Sequence, residues 1–219
     1  MIDPATIDVP EFLERWYGPP DGPSGTLPTT CDWLPAPLKE WHRLTSRWST
    51  PLMTVNRMIA PEQVKAGEDS TAVFMEDATG DWRWAFGTAD PDVVHEAELY
   101  EPWQRCAESL PELLTHSVLY EATYTGSSWR ECAQVEEHRL DSVLAPMTCI
   151  AFGGWGSPRP GGRIFMSDTL VAATGPAMAP GSPWENRPGY AEVRVATTEP
   201  ERLAYLDDMT DIPWIKPFP

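Results

Sequence analysis

The sequence predicts an α+β fold in which a mostly antiparallel β-sheet packs against several helices. Three observations predict this class: repeated helix-start signals, a β-hairpin pattern, and helices and strands that are segregated along the chain instead of alternating as βαβ units. The chain has 219 residues, of which 42% are hydrophobic, so it can bury one ordinary globular core. Its 24 prolines favour loops and short elements, because proline fixes φ and lacks a backbone N–H.

Three helix starts share one signature, in which a capping residue and a proline are followed by a glutamate in the first turn. The signatures lie at 8–11, 109–112 and 198–201. The second predicts a helix with an apolar stripe that begins at Leu110, and Gly126 marks its end. A further short helix is predicted from Leu38 to Leu44.

A β-hairpin is predicted between these helices. The β-rich run 71–76 is followed by a turn at 77–81, and the chain returns through 82–87. Strict alternation places Trp82, Trp84 and Phe86 together on one face of the sheet.

The pattern weakens after Gly126. Further strands are predicted at 147–152, 163–166 and 191–196, with connections at 153–162 and 174–189 that are rich in glycine and proline. The sequence therefore predicts a core at 1–126 and a loop-rich C-terminal extension at 127–219, both within one compact domain.

The sequence carries no motif that is typical of a catalytic, cofactor or metal site. GxSxG, HExxH and GxxxxGK[ST] patterns are absent. The glycine-rich segment 152–156 lacks the Lys-Ser/Thr of a phosphate-binding loop, and we interpret it as a flexible loop. None of the four histidines has metal-ligand spacing to another His or Cys, and His116 is expected to be solvated or at the edge of the core. We expect no catalytic residue, no cofactor and no metal.

The charge balance favours a basic partner. The chain has 33 acids and 16 Lys and Arg residues, a net charge of −17. Such a surface repels phosphate backbones, which disfavours direct nucleic-acid binding, and it attracts basic proteins. Acidity also keeps ordinary proteins soluble, so charge alone does not show that the protein has a basic partner.

The location is predicted from signals that are missing. No run reaches the ~18 apolar residues of a membrane span, and no export signal follows Met1. The four cysteines form no CxxC pair. We expect a cytoplasmic protein with buried, reduced thiols that does not bind membranes.

Acids concentrate between residues 76 and 101, where eight acids accompany one base, Arg83. One interpretation is a recognition surface with rings as anchors and carboxylates that steer a basic partner. The other is a solvated sheet edge whose charges discourage aggregation. The candidate partner-binding residues are Glu76, Asp77, Asp81, Trp82, Asp90, Asp92, Glu96, Glu98, Glu101 and Trp103.

The order of these features resembles the SUKH superfamily, which includes bacterial immunity proteins and fungal cell-wall-synthesis regulators. The matching pieces lie within about residues 8–125. They are the opening helix 11–18, the segments 34–41 and 56–62, the hairpin 73–84, the segment 90–94, Trp103 and the helix 110–124.

The resemblance implies a SUKH-like core at 1–126 with no catalytic residues and a role in binding, since bacterial members mostly look like antidotes to toxins delivered between cells. We expect a non-catalytic acidic immunity protein that neutralises a cognate toxin domain, such as a nuclease, by direct binding. The alternatives are a regulatory adaptor or scaffold module of the same fold and an enzyme of an unrecognised class.

Overall fold

Two antiparallel sheets of five strands each are joined by helices in the computed structural model, which describes residues 1–67, 69–156 and 160–217. The predicted α+β class is therefore confirmed. The α-helices in these residues are α1 (Val9–Tyr17), α2 (Ala36–Thr45), α3 (Leu110–Thr125), α4 (Leu140–Val143) and α5 (Ala204–Asp207). Of these helices, none combines the length and the apolar character that crossing a bilayer requires.

Two of the three predicted helix starts are confirmed by their capping contacts. The Asp8 side chain accepts a hydrogen bond from the Glu11 backbone N–H at 2.9 Å at the start of α1. Ser109 and Glu112 form a capping box at the start of α3, where the Glu112 carboxylate accepts from the Ser109 N–H at 2.8 Å. The third signature begins a shorter run, in which one 3-10 turn (Pro200–Leu203) leads into α5.

The first sheet is a meander in which each strand pairs with the next along the chain. Its strands are β1 (Asn56–Met58), β2 (Thr71–Asp77), β3 (Trp82–Gly87), β4 (Val93–Glu98) and β5 (Gln104–Ser109). The predicted hairpin is β2–β3, and its turn passes through Gly80 at φ 79°. Trp84 and Phe86 are buried on its inner face as predicted, whereas Trp82 is half-buried.

The second sheet is built after residue 126, in the order β6-β10-β9-β8-β7. Its strands are β6 (Ser128–Glu136), β7 (Thr148–Cys149), β8 (Arg163–Met166), β9 (Leu170–Ala179) and β10 (Ser182–Thr197). The strand predicted at 163–166 is confirmed, and the one predicted at 147–152 is shorter. Of the connection predicted at 153–162, residues 157–159 lie outside the described part of the chain.

The predicted connection at 174–189 is wrong, because most of it belongs to β9 and β10. The pairing of β9 with β8 ends at Thr174, so Pro176 has no neighbour on that side whose hydrogen bonding it would interrupt. Pro188 falls in a stretch of β10 where the register with β9 shifts. These irregular positions tolerate residues that are typical of loops.

Helix α3 lies between the two sheets and contacts β5 of the first as well as β8, β9 and β10 of the second. Ten of its 16 residues are buried, so its buried surface is much wider than the apolar stripe that the sequence shows. One apolar cluster includes residues of both sheets, among them Trp84, Phe86, Ile164 and Val171. A smaller cluster packs α4 and α5 against the second sheet. Cys31, Cys106 and Cys132 are buried as expected, and Cys149 is half-buried.

The carboxylate of Glu121 connects α3 to the segment before β1. It is fully buried and accepts hydrogen bonds from the backbone N–H groups of Thr54 (2.6 Å), Val55 (2.9 Å) and Asn56 (2.6 Å). Burial raises the pKa of Glu121 more than these donors lower it. The start of the first sheet thus depends on a polar group inside the protein.

We predict that Glu121→Gln lowers the free energy of unfolding by about 3 kcal/mol, because the amide NH₂ would face backbone N–H donors that are left without an acceptor. Urea denaturation measures the change. Glu137→Gln, on an exposed side chain, is the control and should change stability by less than about 0.5 kcal/mol. Equal stability of the two variants would show that the Glu121 contacts contribute little.

Candidate functional site

Four of the candidate acids share one end of the first sheet. Asp77 and Asp81 lie at the β2–β3 turn, and Glu98 and Glu101 at the β4–β5 turn. The turns are joined directly, because the Leu99 N–H donates to the Asp81 carbonyl oxygen at 2.6 Å. The structure therefore brings together acids that are up to 24 residues apart in the sequence.

Asp90 and Asp92 do not join this group. They lie in the β3–β4 connection, at the opposite end of a strand of six residues, which corresponds to about 20 Å at ~3.3 Å per residue. Both are exposed. The candidate acids thus form two separate groups.

Glu76 and Glu96 have partners within the protein. Glu76 forms an ion pair with Arg57, its register partner on β1. Glu96 is only 9% exposed, because it pairs with Trp84 across β3 and β4 and therefore shares the inner face of the sheet.

The two candidate tryptophans are also engaged. The Trp103 indole N–H donates to the Asp69 carboxylate at 2.7 Å, and the Arg83 guanidinium lies 4.9 Å from the centre of the Trp103 ring. Trp82 packs against the main apolar cluster. Neither ring is more than half-exposed, which limits the area that each offers to a partner.

Tyr100 is the exposed ring at this end of the sheet, and the sequence reasoning missed it. It lies in the β4–β5 turn and is 92% exposed, the largest value among the large apolar and aromatic side chains that the structure describes. Its φ of 73° is in the left-handed region, which costs a residue with a side chain about 1 kcal/mol. An aromatic residue between two acids in a turn was the available signal. We call Asp77, Asp81, Glu98, Tyr100 and Glu101 the acidic end.

The four carboxylates of the acidic end form no ion pair within the described chain, although Lys65 and Arg83 line one pocket together with Tyr100 and Glu101. Partial burial raises the pKa of Asp77, but the Thr79 hydroxyl and nearby backbone N–H groups lower it further, so the net shift is downward. These carboxylates remain available to an approaching cationic surface.

A second polar arrangement lies inside the molecule, where Glu108 on β5 holds the segment 152–156. Its carboxylate accepts from the Gly154 N–H at 2.9 Å and from the Trp155 indole N–H at 3.0 Å, and it lies 2.8 Å from His116 Nδ1. Glu108 is 2% exposed. The segment predicted as a flexible loop is thus fixed by hydrogen bonds to a buried acid.

Glu96 holds the same segment from the neighbouring strand. Its two carboxylate oxygens lie 3.0 and 3.1 Å from the Gly156 N–H. The indole N–H groups of Trp82 and Trp84 lie close to this carboxylate but do not reach hydrogen-bond geometry. Burial raises the pKa of Glu96, and the nearby Glu108 carboxylate adds to the rise.

Two of the three glycines of this segment, Gly153 and Gly156, serve close packing. A Cβ atom on Gly153 would lie 2.8 Å from the Cβ of Ala107, and one on Gly156 would lie 3.1 Å from the Trp82 ring. Either substitution would push the loop away from the sheet. Small residues are needed here because the backbone itself approaches the sheet.

His116 is buried and stacked, although the sequence predicted a solvated or core-edge residue. It is 5% exposed, and its ring centre lies 4.3 Å from that of Phe152 and 4.0 Å from that of Trp155. Within the residues the structure describes, no three His, Cys, Asp or Glu side chains are grouped so that they could hold a metal ion. The buried polar groups orient one another and fix the loop.

Comparisons of the chain with models of protein families, with curated proteins and with solved structures find no match. The function is therefore inferred from the geometry of the acidic end and from the order of the sequence features.

We predict that Glu96→Gln reduces the pH dependence of stability. The folded-state pKa of Glu96 is above its ordinary value of 4.5. At a pH between these two pKa values, the folded protein therefore holds more protons than the unfolded chain. Its free energy of unfolding therefore falls as pH increases. The neutral glutamine removes the Glu96 part of that fall, whereas the part due to Glu121, whose pKa is also raised, persists. Urea denaturation between pH 4 and 8 measures the slope.

Glu98→Gln is the matched control. It removes the same charge two residues along β4, from an exposed side chain, and should keep the wild-type slope. If both variants show that slope, ionisation of Glu96 is not coupled to folding.

Proposed function

We propose that this chain is a non-catalytic immunity protein of the cytoplasm that neutralises a cognate toxin domain by binding it at the acidic end. The observation that carries the proposal is the exposed ring of Tyr100, which stands among carboxylates that have no cationic partner in the described chain. The resemblance to the SUKH superfamily supports the same role.

The two components of the acidic end serve different steps of binding. Carboxylates attract a basic surface over several ångströms and raise the association rate, mostly at low salt. A tyrosine that becomes buried contributes a large contact area at a low cost in side-chain entropy, and tyrosine is enriched among the residues that dominate binding energy. Steering and anchoring are thus combined on two adjacent turns.

The chemistry of the partner follows from the charge. A nuclease presents a basic surface to its phosphate-rich substrate, and an acidic protein that covers this surface blocks the substrate directly. The net charge of −17 disfavours competition by the immunity protein for the same nucleic acid. A nuclease-type toxin domain is therefore the partner that we propose.

We predict that Tyr100→Ala weakens binding to the cognate toxin domain, to be sought among the products of neighbouring genes, by at least about tenfold, a loss of ~1.4 kcal/mol. The double variant Asp81→Lys, Glu98→Lys should slow association strongly and abolish protection of cells that express the toxin. Association and dissociation rates from surface plasmon resonance, measured at two salt concentrations, separate the two effects.

The control is Asp90→Lys, Asp92→Lys, which makes an identical change in charge at the opposite end of β3 and should retain protection. If both double variants lose binding equally, net charge and not the acidic end attracts the partner. If only an endogenous basic protein binds and no toxin does, the chain is an adaptor and the immunity role is wrong.

A further inference from the structure

A cavity of about 120 Å³ lies between α3 and the second sheet. His116, Tyr120 and Tyr124 line it from the helix, and Ala173 and Arg194 from the sheet. No residue of the acidic end lines it, and the proposed function does not use it.

One wall of the cavity is aromatic and held in place. Trp155 lies against His116, with ring centres 4.0 Å apart, and against Tyr120, with ring centres 5.6 Å apart. Glu108 fixes both Trp155 and His116 by hydrogen bonds. The wall is therefore formed before any ligand arrives, which reduces the cost of binding.

His116 presents a hydrogen-bond acceptor on this wall. Glu108 already accepts two N–H bonds, from Gly154 and Trp155, so it acts as an acceptor towards His116 Nδ1 as well and assigns the proton to that atom. In the neutral imidazole Nε2 then carries the lone pair, and it has no hydrogen-bond partner in the described chain. Phe152 and Trp155 cover both ring faces, so the free edge of the ring is the part that lines the cavity.

The opposite side supplies a second acceptor and a fixed cation. Arg194 forms an ion pair with Glu131, and its guanidinium lies 4.4 Å from the Tyr124 ring centre and 4.2 Å from that of Trp129. The guanidinium is thus held in place by the two aromatic rings and by the ion pair. Glu131 lines the cavity, and its ionised carboxylate acts only as a hydrogen-bond acceptor.

The enclosed part of the cavity has room for a single ring. An apolar cavity of ~150 Å³ holds a benzene molecule and stays dry otherwise. The present cavity, of about 120 Å³, is slightly smaller and has acceptors at its edge.

We propose that this cavity binds a small planar nitrogen heterocycle, one ring that carries N–H donors, with the ring against Trp155 and Tyr120 and the donors directed to His116 Nε2 and Glu131. Aromatic walls with a few placed polar groups are typical of small-molecule sites.

The test uses 2-aminopyrimidine as the probe, with benzene and benzoate as comparison ligands. Calorimetric titration should show saturable binding of 2-aminopyrimidine that is at least about tenfold tighter than that of either comparison ligand, since ~1.4 kcal/mol corresponds to two ordinary hydrogen bonds. In ¹H–¹⁵N spectra of the imidazoles, the His116 Nε2 signal should shift on binding, while that of exposed His138 should not.

Ala173→Leu fills the cavity without removing a hydrogen bond and should abolish binding. Ala179→Leu makes the same change on the same strand, at a residue that does not line the cavity, and should retain it. The proposal is overturned if benzene binds as tightly as 2-aminopyrimidine, if the His116 signal does not shift, or if 2-aminopyrimidine does not bind at all. The wild-type spectra decide the matter even if Ala173→Leu fails to fold.

Discussion

The burial of α3 on several sides is the constraint on which most of this structure depends. Because ten of its 16 residues are buried, the polar side chains among those ten need partners inside the protein. Glu121 finds it in the backbone N–H groups of 54–56, which begin the first sheet. His116 finds it in Glu108, which in turn holds the segment 152–156. Two distant segments are thereby positioned by polar residues of a single helix.

The meander topology of the first sheet decides which acids meet. Successive turns of a meander lie at alternate ends, so the β2–β3 and β4–β5 turns share an end and the β3–β4 turn does not. Asp81 is consequently close to Glu98, across turns linked at 2.6 Å, and remote from Asp90, which is nearer in sequence to Asp81 than Glu98 is. Acids that are close together in the sequence therefore belong to different surfaces of the folded protein.

Features that depend on a few neighbouring residues could be predicted from the sequence. The caps at Asp8 and Ser109 and the β2–β3 hairpin belong to this group, because their hydrogen bonds join residues close in the chain. The inward position of Glu96 could not be predicted without the extent and register of β4. Strand β10 was predicted only at 191–196 and β9 was missed, because Pro176 and Pro188 are typical of loops and here lie where pairing with β8 has ended or the register with β9 shifts. The turn that exposes Tyr100 was not predicted, because Tyr100 adopts the left-handed conformation in a turn without glycine.

The net charge of −17 overstates the charge that a partner meets. Glu96, Glu108 and Glu121 are buried and bind internal donors, so their role is to join segments of the fold. At the acidic end the opposite holds, since the carboxylates lie on turns and, within the described residues, bind only local backbone N–H groups and the Thr79 hydroxyl. The position of the exposed acids thus depends on where the chain turns, and a protein with the same composition but another strand order would present a different surface.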